Sequence, residues 1–278
     1  MNDGEHLEAF ELSLYGGAVE RRYRRLRPEV DELPWGSIDC AKYAPDVVEG
    51  ARRTWTEAAF QEHRTAAACA ATLKALIAAR APLDLVAFAS RFPLDEMVHV
   101  ELCARLVGEM GGAVRLMHDP RNLILEPDRA EPALMQAAEL IVRNFCVGEA
   151  LSIPVLRGSW HASKHPLIRG VLARIVKDEA AHGQLGWLFL DWAEERLSQS
   201  DRTRLAEVAR ETIVAVVERW QLIKPAAPSP LDADTLGWME STSYLELARR
   251  SLASHVLGPL RERGIDPGVD VFGRAVAA

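Results

Sequence analysis

Asp95-Glu96-Met97-Val98-His99 and Asp178-Glu179-Ala180-Ala181-His182 are two copies of one pattern, Asp-Glu-x-x-His. On an α-helix, residues three apart share a face, with Cβ atoms about 5–6 Å apart. Each Glu-x-x-His therefore aims one carboxylate and one imidazole at a common point. A free glutamate on the helix before each copy completes a set of four carboxylates and two imidazoles. That set suits a pair of iron or manganese ions inside a four-helix bundle. A lone Glu-x-x-His is common on helices and carries little information; two copies in a helical chain carry much more.

The two free glutamates are chosen by position. Glu62 precedes Glu96 by 34 residues, and Glu149 precedes Glu179 by 30. Each separation suits a helix, a turn and a return to the same height on an antiparallel neighbour. Glu57 and Glu139 are the rivals, at separations of 39 and 40. Glu62 is preferred because its face carries Trp55, Ala58, Ala59, Ala66 and Cys69, and a carboxylate in an apolar face needs a partner. Glu149 lies in the apolar stretch NFCVGEALSIPV. Glu139, near Gln136 and Arg143, reads as solvated, as do Glu101 and Glu109.

Asp95 and Asp178 stand about 100° round the helix from their glutamates. Each can reach the histidine on the neighbouring helix, where a metal-bound imidazole usually gives its second N–H to a carboxylate. Cys69 and Cys103 follow Glu62 and Glu96 by seven residues, and Cys146 precedes Glu149 by three. All three share a face with a candidate ligand, either as lining of a pocket or as small apolar packing. Ile153, Leu172, Ile175, Leu185 and Phe189 fill the same inner faces. Four carboxylates favour iron or manganese over zinc. No histidine precedes either glutamate as the HExxH zinc-protease pattern requires.

The rest of the chain sets the frame. Its 278 residues are 49% hydrophobic and 26% charged, a soluble globular balance. The net charge of −7 argues against a nucleic-acid partner held by charge. The acidic N-terminus MNDGEHLEAF does not read as a secretory signal, and no apolar run is long enough to span a membrane. With no CxxC among the four cysteines, reduced thiols in the cytoplasm are expected.

Helical periodicity predicts an all-α chain. Residues 1–45 form a mixed segment packing on the bundle, with a short helix in 7–25 and the basic run ERRYRRLRP at 20–28. That run reads as a solvated face, with a partner surface as the alternative. Residues 46–198 form the four-helix bundle: helices over 46–79, 82–110, 131–157 and 166–197. Pro93 should kink the second, and Gly111-Gly112 ends it. The loop GSWHASKHP, with His161 and His165, is expected before the fourth helix. Residues 199–278 form a C-terminal helical extension: a helix over 201–223 capped by Ser200 or Asp201, the linker KPAAPSPLDAD, and a helix over 241–263. No strand pattern appears. His63, beside Glu62, points away from the ligand face.

DEMVH and DEAAH resemble the paired DExxH motifs of the ferritin-like diiron carboxylate superfamily. They look like those of the bacterial multicomponent monooxygenase hydroxylases, and the ribonucleotide reductase small subunit and rubrerythrins have related arrangements. The resemblance covers residues 46–198. It implies that Glu62, Glu96, His99, Glu149, Glu179 and His182 hold two iron ions, or a manganese–iron pair, and are the catalytic set. Asp95 and Asp178 would back the histidines from outside. The p-aminobenzoate N-oxygenase branch has a further histidine one turn before its last ExxH, where this chain has Ile175. No tyrosine lies within a few turns of a ligand in sequence, so no radical-forming tyrosine is evident. The implied function is O₂ activation to oxidise or oxygenate a small organic substrate. It allows an electron-donor protein and a homodimer, and involves neither nucleic acid nor membrane. A ferroxidase or iron-handling protein and a metal-stabilised scaffold remain open alternatives.

Overall fold

The computed structural model describes residues 7–124, 130–223, 236–237, 239 and 241–269. Its frame is four long antiparallel helical arms. The first is α3 (Pro45–Ala78), with Pro45 in its first turn and alanine-rich beyond. Its 34 residues extend about 50 Å at 1.5 Å per residue. The second arm is α4 (Leu83–Ser90) followed by α5 (Phe92–Glu109). The single expected helix is interrupted at Arg91 because Pro93 supplies no N–H to the preceding turn. The third arm runs from α6 (Ala133–Ile141) through a π-helical stretch, Val142–Glu149, into α7 (Ala150–Ala162). The fourth is α8 (Pro166–Ala193). α5 packs on α3 and α8, and α8 on the π stretch and α7.

Several boundaries differ from the sequence reading. The loop expected at 158–166 is mostly helix, and α7 continues to Ala162. Its last carbonyls find donors, since Arg169 Nη1 donates to the carbonyls of Trp160 (3.2 Å) and Ser163 (3.0 Å). α9 (Gln199–Gln221) starts earlier than expected because Ser198, rather than Ser200 or Asp201, caps it. Ser198 Oγ accepts from Asp201 N, and Asp201 Oδ2 accepts from Ser198 N, a reciprocal capping box. Pro82 and Pro132 stand one step ahead of their helices as extended N-caps. The linker at 224–234 lies outside the described residues. The last helical run is α10 (Ser241–Ser251), a π stretch (Leu252–Leu257) and α11 (Gly258–Glu262). Two short strands also form, β1 (Glu8–Ala9) and β2 (Met117–His118), pairing the N-terminal segment with the connection between the second and third arms.

Burial follows the helical stripes. One apolar cluster joins Phe145 and Phe189 of the bundle to Leu205 and Ile213 of α9 and to Leu252 and Leu257 of the tail. The described part of the C-terminal extension thus shares a core with the bundle. A second cluster fills the space between α3, α5 and α8, around Leu102, Leu106 and Leu172.

The N-terminal segment carries α1 (Gly17–Arg25) and α2 (Pro28–Asp31). Within its basic run, Arg27 is not solvated, being 1% exposed. It pairs with Asp31 (2.9 Å) and Glu101 (2.7 Å) and lies over the Tyr23 ring. Glu101 is therefore a half-buried ion-pair partner, because a guanidinium taken out of water needs a charge beside it. Glu109 is also engaged, with both oxygens accepting from the Gly36 amide at 2.7 and 2.8 Å.

At Gly186, α8 packs tightly against the π stretch. A Cβ there would lie 2.7 Å from Cys146 Sγ, 3.1 Å from Cys146 N and 3.2 Å from Phe145 Cβ. Backbone at that distance cannot yield as a side chain can. Gly186→Ala should therefore destabilise the protein by about 1–3 kcal/mol, read as a lower urea midpoint; an unchanged midpoint would mean the helices separate at little cost.

Candidate metal centre

The eight candidate side chains come from all four arms. α3 supplies Glu62, and α5 supplies Asp95, Glu96 and His99. The π stretch supplies Glu149 as its last residue, and α8 supplies Asp178, Glu179 and His182. Two groups form, each with one ligand atom per residue and all atoms within 4.8 Å of one another. The first is Glu62, Glu96, His99 and Glu179; the second is Glu96, Glu149, Glu179 and His182. Glu96 and Glu179 belong to both.

Those two carboxylates divide their oxygens between the histidines. His99 Nδ1 faces Glu96 Oε2 (3.4 Å), Glu179 Oε1 (3.3 Å) and Glu62 Oε2 (3.5 Å). His182 Nδ1 faces Glu96 Oε1 (2.9 Å) and Glu179 Oε2 (3.1 Å). The outer nitrogens cross between the halves. His99 Nε2 meets Asp178 Oδ2 at 3.1 Å, and His182 Nε2 lies 3.6 Å from Asp95 Oδ2. Glu149 Oε2 accepts from Ser152 Oγ at 3.3 Å, and the Phe92 ring lies 4.1 Å from the His182 ring, centre to centre.

The rival glutamates lie elsewhere. Glu57 is exposed. Glu139 is buried rather than solvated, and Arg204 from α9 donates to it at 2.9 Å. His63 lies outside the ligand groups, against Phe10. His161 is in the last turn of α7, its ring tilted against Trp160, while the ring of His165 caps α8 by accepting from the Leu167 amide.

The cluster is almost fully dry. Glu96, His99 and His182 are 0% exposed and Glu179 is 2% exposed. Among the described residues, both oxygens of Glu96, Glu179 Oε2, His99 Nδ1 and both ring nitrogens of His182 lack a hydrogen-bond partner. Their approach is close but not aligned. Buried polar atoms left this way are costly, and a cation between them removes the cost. The donor set, four carboxylate and two imidazole groups, fits two hard divalent ions.

Without a metal, protons must hold the charge. Burial pushes Glu62 up to about 8, helped by the negative charges of Glu96 and Glu179. Burial also drives Glu149 well above the carboxylate range, again with Glu179 and Glu96. Burial acts the same way on Glu96 and Glu179, but the two histidines beside them overcome it and hold both low. Burial disfavours the His182 cation, yet Asp95, Glu179 and Glu96 raise it to about 12. His99 is raised well above its usual value against the same burial, by Glu179, Glu62 and Glu96.

The cysteines divide. Burial, then the charges of the site, raise the thiols of Cys69 and Cys103, so both line the site as neutral groups. Cys146 does not face it. Its charged neighbours are Arg263 and Asp191, and its sulfur packs toward Gly186. The three-residue spacing to Glu149 suggested a shared face, but the wider π turn rotates Cys146 away.

Two residues went unread in the sequence. Arg91 stands four residues before Asp95, and Arg174 four before Asp178, so the repeat is Arg-x-x-x-Asp-Glu-x-x-His. Arg91 Nε lies 2.9 Å from Asp95 Oδ2, and its Nη2 lies 3.2 Å from Asp178 Oδ1. Arg174 pairs with Asp178 through Nη1 and with Glu29 of α2 through Nε at 2.8 Å. A tyrosine also arrives from afar in sequence. Tyr23 donates its hydroxyl to the Met97 carbonyl at 3.2 Å, behind the turn that carries Glu96 and His99.

No known family model matches the sequence, and no curated protein does. Among solved structures, the chain is similar to a protein with aldehyde deformylating oxidase activity from Synechococcus, described as Protein 19. The TM-score is 0.56 at 15% identity, over 83% of this chain and 96% of that one. With the buried cluster beside it, that likeness establishes the fold as a ferritin-like all-α bundle.

Proposed function

We propose that this protein is a dinuclear-iron oxidoreductase that activates O₂ to oxidise or oxygenate a small organic substrate. The observation that carries this reading is the pair of four-residue ligand groups sharing Glu96 and Glu179 in a dry core. When bound, the metal pair supplies the redox chemistry with O₂. The chain's own residues do the rest. Glu96 and Glu179 each present one oxygen to either side. Asp178 holds His99 by its outer nitrogen, and Asp95 faces the outer nitrogen of His182 at 3.6 Å. Ser152 steadies Glu149, and the neutral thiols of Cys69 and Cys103 wall the site without adding charge. Glu62, with its side chain 15% exposed, is the ligand nearest solvent. The activity named for the solved neighbour makes aldehydes the first substrate class to assay.

The sharing of ligands gives a graded test. After anaerobic Fe²⁺ loading, air exposure and desalting, we expect one iron per ligand group, hence two per chain. Glu96→Ala and Glu179→Ala should lose both, whereas Glu62→Ala and Glu149→Ala should each keep one more readily. Helical circular dichroism should persist throughout. Tens of iron atoms per chain would indicate storage, and none would remove the metal reading altogether.

Proton occupancy gives a second test. Unfolded, a glutamate titrates near 4.5 and a histidine near 6.5; folded and metal-free, Glu62 titrates at about 8 and His182 at about 12. Between those limits the folded state binds more protons, so metal-free stability falls as pH rises. The loss begins above the ordinary glutamate value and steepens above the ordinary histidine value. The melting temperature in chelator should drop by roughly 5 °C or more from pH 6 to pH 9. The iron-loaded protein should show little of that drop, and loading at neutral pH should release protons. Parallel pH profiles with and without iron would contradict this account.

A further inference from the structure

The two carboxylates behind the histidines are held unequally. Asp178, which meets His99, pairs with both Arg91 and Arg174. Arg174 is itself only 14% exposed and is fixed by Glu29 from the N-terminal segment. Asp95, behind His182, pairs with Arg91 alone among the arginines and lysines of the described residues. Arg91 stands in the break that Pro93 imposes between α4 and α5, and its side chain is 63% exposed. A single surface arginine thus touches both supporting carboxylates, and only one of them has a second hold.

We propose that Arg91 is a positioning residue for the metal pair, on which the His182 side depends wholly and the His99 side only in part. The proposal rests on the dinuclear-metal reading of the same site. Losing Arg91 frees Asp95 to turn to solvent, and His182 loses the carboxylate that faces its outer nitrogen at 3.6 Å. Asp178 stays in place through Arg174 and Glu29. The N-terminal segment, by way of Glu29, is the back-up hold for one histidine.

The test is release of Fe²⁺ from the anaerobically loaded full chain to a chromogenic ferrous chelator, with ⁵⁷Fe Mössbauer spectra of the same samples. In Arg91→Gln, one iron should leave roughly 10-fold or more faster than in the parent, the lower end of the loss in metal affinity when a histidine's outer partner is removed. The other should change by only a few-fold, and one of the two Mössbauer signals should shift. Arg174→Gln should change both rates by only a few-fold, since Arg91 still holds both aspartates. The double variant should release both irons fast. Arg91→Lys, which restores a charge on Asp95, should fall between parent and Arg91→Gln, and it carries the test if the glutamine variant folds poorly. Parent-like release of both irons from Arg91→Gln, or equal acceleration of both, would overturn the proposal. A parent protein that binds no iron would instead overturn the metal reading.

Discussion

Four carboxylates and two imidazoles in a space almost closed to water set the terms for the rest of the structure. Like charges at such spacing repel strongly where the dielectric is low. The fold answers in layers. Nearest the carboxylates, protonated histidines or metal ions balance them. Behind the histidines stand two aspartates, and behind those two arginines, the outer one reaching solvent. Charge sign alternates outward from the centre to the surface.

The same constraint explains the N-terminal segment. Arg27, Asp31 and Glu29 meet Glu101, Arg105 and Arg174 across the outer faces of α5 and α8. These pairs lie on the two helices that carry both histidines. They join the helices from outside while the ligand set joins them from inside. The segment is thus part of the site's support, although none of its described residues belongs to a ligand group.

Much of this was legible in the sequence, because the decisive signals are local. Glu-x-x-His needs only helical spacing, and the apolar faces around Glu62 and Glu149 separated them from Glu57 and Glu139. The misreadings share a physical origin. Arg27 with Glu101, and Tyr23 with Met97, are 74 residues apart, and no local pattern announces such a pair. Cys146 was placed with the period of an α-helix in a stretch that winds as a π-helix. Ser163 and Arg169 carry α7 further than composition suggests, since the cap comes from the next helix. Arg91 and Arg174 differ from these. Their spacing is as local and as duplicated as the motif itself, and only the nine-residue width of the pattern hid it.

The sharing of Glu96 and Glu179 also bears on chain topology. An ion in the first group ties Glu62 to Glu179, 117 positions later, and one in the second ties Glu96 to His182, 86 positions later. Each is a cross-link that closes a long loop, like a disulfide made of coordinate bonds. For loops near one hundred residues, the chain-entropy account assigns such a closure about 4–5 kcal/mol by restricting the unfolded ensemble. Neither half of the duplicated pattern closes a group alone, because every group draws on both. A metal ion bound in either group would therefore be a staple between halves, and its uptake would report that α3 and α5 have docked on α8.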